Sequence, residues 1–149
     1  MKSNIPQSYV IGVENLSNNP HHSNLMSYLK RVVLKGDELN IIDLQNISQN
    51  ESSISGEWLQ ICEKEKWNCR FHRIVKEEIE LISKNMCLLS IKQNSKNIIY
   101  NQTKKKWINK YLNGSIPTNL INKCKNKNII IIKEDWKLEF QKKKRKEKD

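Results

Sequence analysis

The chain has 149 residues, 37% of them hydrophobic, and a formal net charge of +11. That length suits a single domain able to bury a core without metal or disulfide support. No apolar run is long enough for a membrane-spanning helix, and Gly12, Gly36, Gly56 and Gly114 stand isolated, which excludes a Gly-rich phosphate loop or a dinucleotide fingerprint.

The composition is skewed: there is no alanine, and 23 Lys stand against 4 Arg. An AT-rich genome accounts for most of that bias, but codon bias alone spreads lysine evenly. Residues 1–100 carry 12 Lys and Arg against 11 Asp and Glu, a net +1, whereas residues 101–149 carry 15 against 5, a net +10. The basic C-terminal third is therefore read as a surface facing a polyanion. The four cysteines, with no apolar leader ahead of them, are read as reduced thiols of an intracellular protein. The sequons at Asn15, Asn46, Asn101 and Asn113 are then chance matches in an Asn-rich chain.

In chain order, Gln7–Glu14 is a β-rich run through Tyr9, Val10, Ile11 and Val13, followed by a loop to Pro20. A helix starts near Ser23, presents Leu25, Met26, Leu29, Val32 and Val33 on one face, and stops at Gly36. Leu39–Leu44 is a second strand, Gln45–Gly56 a polar loop, and Glu57–Cys62 the opening of a helix. The stretch Trp67–Lys92 reads as a helix running into a strand. Phe71, Ile74, Val75, Ile79 and Ile82 make the helical stripe, Asn85 ends it, and Met86–Ile91 is a strand covered on both faces. Asn97–Tyr100 then folds back as its hairpin partner. Thr103–Leu112 is a basic helix, a short helix follows Pro117, Asn128–Ile132 is a strand, and Glu134–Phe140 packs through Trp136, Leu138 and Phe140.

These elements predict an α/β fold: residues 1–140 as one small domain, a mixed sheet of four to five strands with helices packed against it, and residues 141–149 as a basic disordered tail.

Several constellations could carry chemistry. Cys62, Cys69 and His72 include metal-ligating types, but on a helix the two cysteines stand two turns, about 10 Å, apart, so packing is the better reading and no metal is assigned. Glu14, Asp43, Glu134 and Asp135 fall at strand ends, where acidic residues could hold Mg²⁺ for phosphodiester hydrolysis. His21 and His22 diverge at a helix start and form no catalytic couple. Tyr9–Leu16 has no accompanying basic-aromatic strand, so no RNA-recognition motif is assigned. The remaining signal is electrostatic. Lys104, Lys105, Lys106, Lys110, Lys123, Lys125, Lys127, Lys142, Lys143, Lys144, Arg145 and Lys146 are the expected phosphate contacts, with Trp107 and Tyr111 as stacking platforms and Trp136 nearby.

The sequence is accordingly read as a non-catalytic RNA-binding component of a ribonucleoprotein, a divergent ribosomal or mitoribosomal subunit. Its expected partners are RNA, rRNA foremost, and neighbouring proteins, without cofactor or membrane insertion. Mitochondrion or another organelle is the expected location. The nucleus is the alternative, since Lys142–Lys146 fits an import signal by composition. The other readings are a protein-interaction subunit of a larger assembly and a metal-dependent nuclease using Glu14, Asp43 and Asp135.

Overall fold

The computed structural model describes residues 5–13, 16, 19–44, 54–73, 79–102 and 115–134. Nine elements alternate along the chain: β1 (Ser8–Val13), α1 (Asn24–Val32), β2 (Glu38–Asp43), α2 (Gly56–Glu65), β3 (Asn68–Arg73), α3 (Ile79–Lys92), β4 (Asn97–Gln102), α4 (Ser115–Lys123) and β5 (Asn128–Lys133). The strands form one sheet in the order β3-β2-β1-β4-β5, and every neighbouring pair is parallel. A helix between each pair of consecutive strands makes this outcome natural, because it returns the chain to the same end of the sheet.

Both faces of the sheet are covered. Tyr9, Ile11, Val13, Leu39, Ile41 and Ile99 point to one face, where Leu25, Met26 and Leu29 of α1 and Trp58, Ile61 and Cys62 of α2 close over them. Val10, Ile42, Ile98 and Tyr100 point to the other, beneath Ile82, Met86 and Cys87 of α3 and Leu120 and Cys124 at α4. Alternate residues of one strand thus enter opposite cores, which is why β1 reads as a nearly continuous apolar run. Gly12 lies where α3 comes closest: a Cβ built there would stand 2.8 Å from Met86 Cε.

The α/β class, the single domain and the strands at Leu39–Leu44 and Asn128–Ile132 agree with the sequence, but the central stretch is inverted. Asn68–Arg73 is the strand and Ile79–Lys92 the helix. In β3 the side chains alternate, with Cys69 and Phe71 packed against the α1–α2 core. Lys66, in a left-handed conformation at φ 60, closes α2 and turns the chain into that strand. The run Met86–Ile91 is apolar for a different reason than strand burial. Met86 and Cys87 face the core, while Leu88 and Ile91 are exposed. The helix passes through Asn85 and ends instead at Asn94, which has φ 54, with Ser95 N–H donating to Ser90 O at 2.8 Å. Asn97–Tyr100 is consequently no hairpin partner, and the sheet is parallel and not mixed. β4 sits in the sheet interior between β1 and β5.

The cysteines are paired: Cys62 with Cys69 on the α1–α2 side (Cα–Cα 6.2 Å) and Cys87 with Cys124 on the α3–α4 side (Cα–Cα 5.5 Å). This corrects the expectation of reduced thiols. Helical spacing put Cys62 and Cys69 two turns apart, whereas the turn at Lys66 folds β3 back beside α2. His72, three residues on along a strand, faces away from Cys69, so the half-site for zinc does not form. The predicted basic helix Thr103–Leu112, the packing of residues 135–140 and the tail 141–149 lie outside the described residues.

Candidate functional site at the carboxyl ends of the strands

The two ends of the sheet differ. At the amino ends the connections are short, residues 33–37, 66–67, 93–96 and 124–127. Asp37 ties the first of them to the chain ahead of β1: its carboxylate accepts from Gln7 N–H at 3.0 Å and from Leu34 N–H at 2.8 Å. At the carboxyl ends the connections are residues 14–23, 44–55, 74–78 and 103–114. The strand order reverses there between β1 and β4, the place where doubly wound sheets open a crevice.

Three side chains mark that end, two of them in contact. Glu134, just past β5, reaches the start of α1: Asn24 N–H donates to its Oε1 at 2.9 Å and Leu25 N–H to its Oε2 at 3.4 Å. Asn101, buried in β4, donates from Nδ2 to Glu134 Oε2 at 2.6 Å and to Ile132 O at 3.1 Å. Asn24 Nδ2 donates to Lys133 O at 2.8 Å. Ser23 completes the helix start, its Oγ accepting from Met26 N–H at 3.0 Å and donating to Pro20 O at 2.7 Å. The free N–H groups of the first turn, which elsewhere attract phosphate, are therefore met by Glu134 and Ser23. The helix dipole and the carboxylate suit each other in sign. Asp43, at the end of β2, is the third group and is almost fully buried.

A second polar chain crosses the α3–α4 face. His72 Nε2 lies 3.2 Å from Asn40 Oδ1, Asn40 Nδ2 donates to Ser8 Oγ at 3.3 Å, and Ser8 Oγ lies 2.7 Å from Ser95 Oγ. Asn40 is fully buried in β2, so this chain meets its hydrogen-bonding needs. Burial holds the His72 pKa below the usual histidine value, and the charges of Arg70 and Lys92 add to that.

Of the strand-end acids singled out in the sequence, Asp43 and Glu134 are at the carboxyl ends, but Glu134 is spent on α1 and Asn101. Glu14 and Asp135 lie outside the described residues, and among those described no three His, Cys, Asp or Glu groups come together as metal ligands do. His21 and His22 are exposed ahead of α1. Of the basic residues expected at phosphates, Lys104, Lys105, Lys106, Lys110 and residues 142–146, with Trp107 and Tyr111, lie outside the described residues. Lys123, Lys125 and Lys127 sit around the turn from α4 to β5, where Lys127 Nζ donates to Ser95 O at 2.6 Å. The residue that sequence reasoning missed is Asn101; its only signal was a sequon, and it is in fact a buried strand residue.

The strand order and the helices on both faces define the class: a doubly wound parallel α/β domain. No family model matches the chain, and no curated protein matches it. Among solved structures it is similar to a universal stress protein from Archaeoglobus fulgidus, at 15% identity and a TM-score of 0.48, over 86% of this chain and 99% of that one. The ribonucleoprotein reading is withdrawn, since neither this comparison nor the described residues support it. The similar structure is a universal stress protein, not a ribosomal or RNA-binding one, and nothing among the described residues supports the interaction-subunit or nuclease readings either. The charge asymmetry that suggested RNA names no partner by itself, and Lys127 is engaged with Ser95 within the fold.

Proposed function

We propose that the chain is a binding module that takes a small polar organic ligand of the nucleoside class at the carboxyl ends of β1, β2 and β4, without turnover. The observation that carries this is the reversal of strand order between β1 and β4, with Asn101 and Asp43 at the adjoining strand ends. In doubly wound sheets an acidic residue beyond the first helix commonly meets ribose hydroxyls, and Asp43 at the end of β2 stands in that position. Glu134 at the start of α1 argues for a nucleoside over a ligand anchored there by phosphate.

The test is thermal unfolding with a panel of nucleosides and their phosphates. At a hundredfold excess over Kd a bound nucleoside raises Tm by roughly 5–10 °C, with no further gain from added phosphates. The shift is lost in Asp43→Asn, provided the unliganded variant keeps its circular dichroism. A panel in which no nucleoside moves Tm sinks the reading.

A further inference from the structure

The two helical layers differ in chemistry. From Leu81 to Lys133 the chain contains no aspartate or glutamate, and this stretch holds nearly all of α3 and the whole of α4. The opposite layer is mixed: α2 alone contains Glu57, Glu63 and Glu65 beside Lys64. Both layers leave apolar side chains exposed, Val32 at 36% and Leu59 at 51% on the α1–α2 side, but the α3–α4 layer groups several of them. Leu81, Leu88 and Ile91 are 36%, 52% and 66% exposed on α3, and Ile121 is 61% exposed on α4. Positions 81, 88 and 91 lie on one side of the helix, opposite Ile82, Ser83, Met86 and Ser90, which are buried against the sheet. Exposed Lys84 lies within this stripe, and exposed Lys92, Lys123 and Lys125 belong to the same layer. The Cys87–Cys124 bridge joins α3 to the residue just past α4.

We propose that the outer surface of α3 and α4 docks on an anionic membrane, with Leu81, Leu88 and Ile91 entering the boundary between headgroups and acyl chains and the lysines meeting lipid phosphates and carboxylates. An exposed apolar stripe of this kind marks an interaction site, and an apolar face flanked by Lys84 and Lys92, with Glu80 the one acid of α3, has the basic balance of interfacial helices. A second copy of this chain is the poorer partner on charge: its matching surface brings Lys84, Lys92, Lys123 and Lys125 against their own kind, with Glu80 the one acid in the two helices. The exposed apolar groups described on this layer are all aliphatic, which suits acyl chains. The docking is peripheral, since no helix among the described residues is long and apolar enough to cross a membrane.

The experiment is co-sedimentation of the full chain with phosphatidylcholine vesicles, plain or with about a third phosphatidylserine. The comparison set is wild type, the double variant Leu88→Glu with Ile91→Glu, and Leu59→Glu. Leu59 is 51% exposed on the acidic α2 and serves as the control for adding charge to a surface leucine. Binding is expected to the anionic vesicles alone, to weaken at least tenfold between about 0.05 and 0.5 M salt, to fall at least tenfold in the double variant and to persist in Leu59→Glu. Circular dichroism verifies that each variant is folded. The lysines of residues 142–146 are constant throughout, so equal binding by wild type and the double variant overturns the proposal in favour of lysine attraction alone. Absence of binding to anionic vesicles also overturns it. So does a wild-type dimer that the double variant converts to monomer, which identifies a second copy as the occupant.

Discussion

Glu134 acts as an intramolecular anion. Its carboxylate accepts from two N–H groups at the start of α1 and from the buried amide of Asn101. Glu134→Ala leaves those donors without that partner and is expected to cost about 1–2 kcal/mol, the scale of a lost helix cap; urea unfolding measures it, and an unchanged midpoint contradicts the capping role. In the sequence Glu134 was visible as a strand-end acid, but its partner, Asn24, lies 110 residues away, and no local pattern connects them. His72 belongs to the same scale. Its pKa lies below the usual 6.5, through burial first and the nearby Arg70 and Lys92 charges second. The unfolded chain therefore binds the proton more readily. This contribution to stability is complete above about pH 6.5 and is lost as pH falls through 6.5 toward the folded-state pKa. His72→Gln is expected to flatten that decline, seen as a smaller drop in unfolding free energy between neutral and mildly acidic pH. A slope identical to wild type places the pH dependence elsewhere.

Among the elements, β3 and α3 depart furthest from their local patterns. Phe71, Ile79 and Ile82 satisfy a helical spacing, and Met86–Ile91 satisfies a buried strand, yet the two assignments are exchanged. The reason is that α3 is apolar on two sides, one against the sheet and one toward solvent, and a helix apolar on both sides shows no clean period. β3 is the reverse: an edge strand with Asn68, Arg70 and His72 alternating with Cys69 and Phe71, polar enough to pass for the solvated side of a helix. The bridges follow from this exchange. Cys62–Cys69 closes a separation of 7 residues and Cys87–Cys124 one of 37. Loop-closure entropy makes the first worth about 2 kcal/mol and the second about 4 kcal/mol. Replacing Cys87 and Cys124 together by serine is thus expected to lower the urea midpoint more than replacing Cys62 and Cys69. The opposite ranking contradicts the entropic account.

Across the whole molecule, one sheet divides the chain into two chemically different sides. The α1–α2 side holds Trp58, Trp67 and most of the large core residues, with acids and bases mixed along α2. The α3–α4 side holds a smaller core under helices that are basic and partly apolar outside. The proposed ligand site lies in a third direction, at the carboxyl ends of the strands, so a ligand there and a lipid surface on the α3–α4 side do not compete for the same groups. The charge asymmetry was legible as a basic C-terminal third; its true extent, starting at Leu81 on α3, became meaningful only once α3 and α4 were seen to share a face. By itself the sequence determined the α/β class, the helix start at Ser23, and the strands of Leu39–Leu44 and Asn128–Ile132, because capping and β-branched runs act over a few neighbouring residues; the helix stop expected at Gly36 falls earlier, at Val32, with Val33 already extended. Only the tertiary structure decided which half of Trp67–Lys92 is the strand, the parallel order of the sheet, the pairing of the cysteines and the target of Glu134. Each of those rests on contacts that the folded chain makes between segments whose local patterns permit more than one answer.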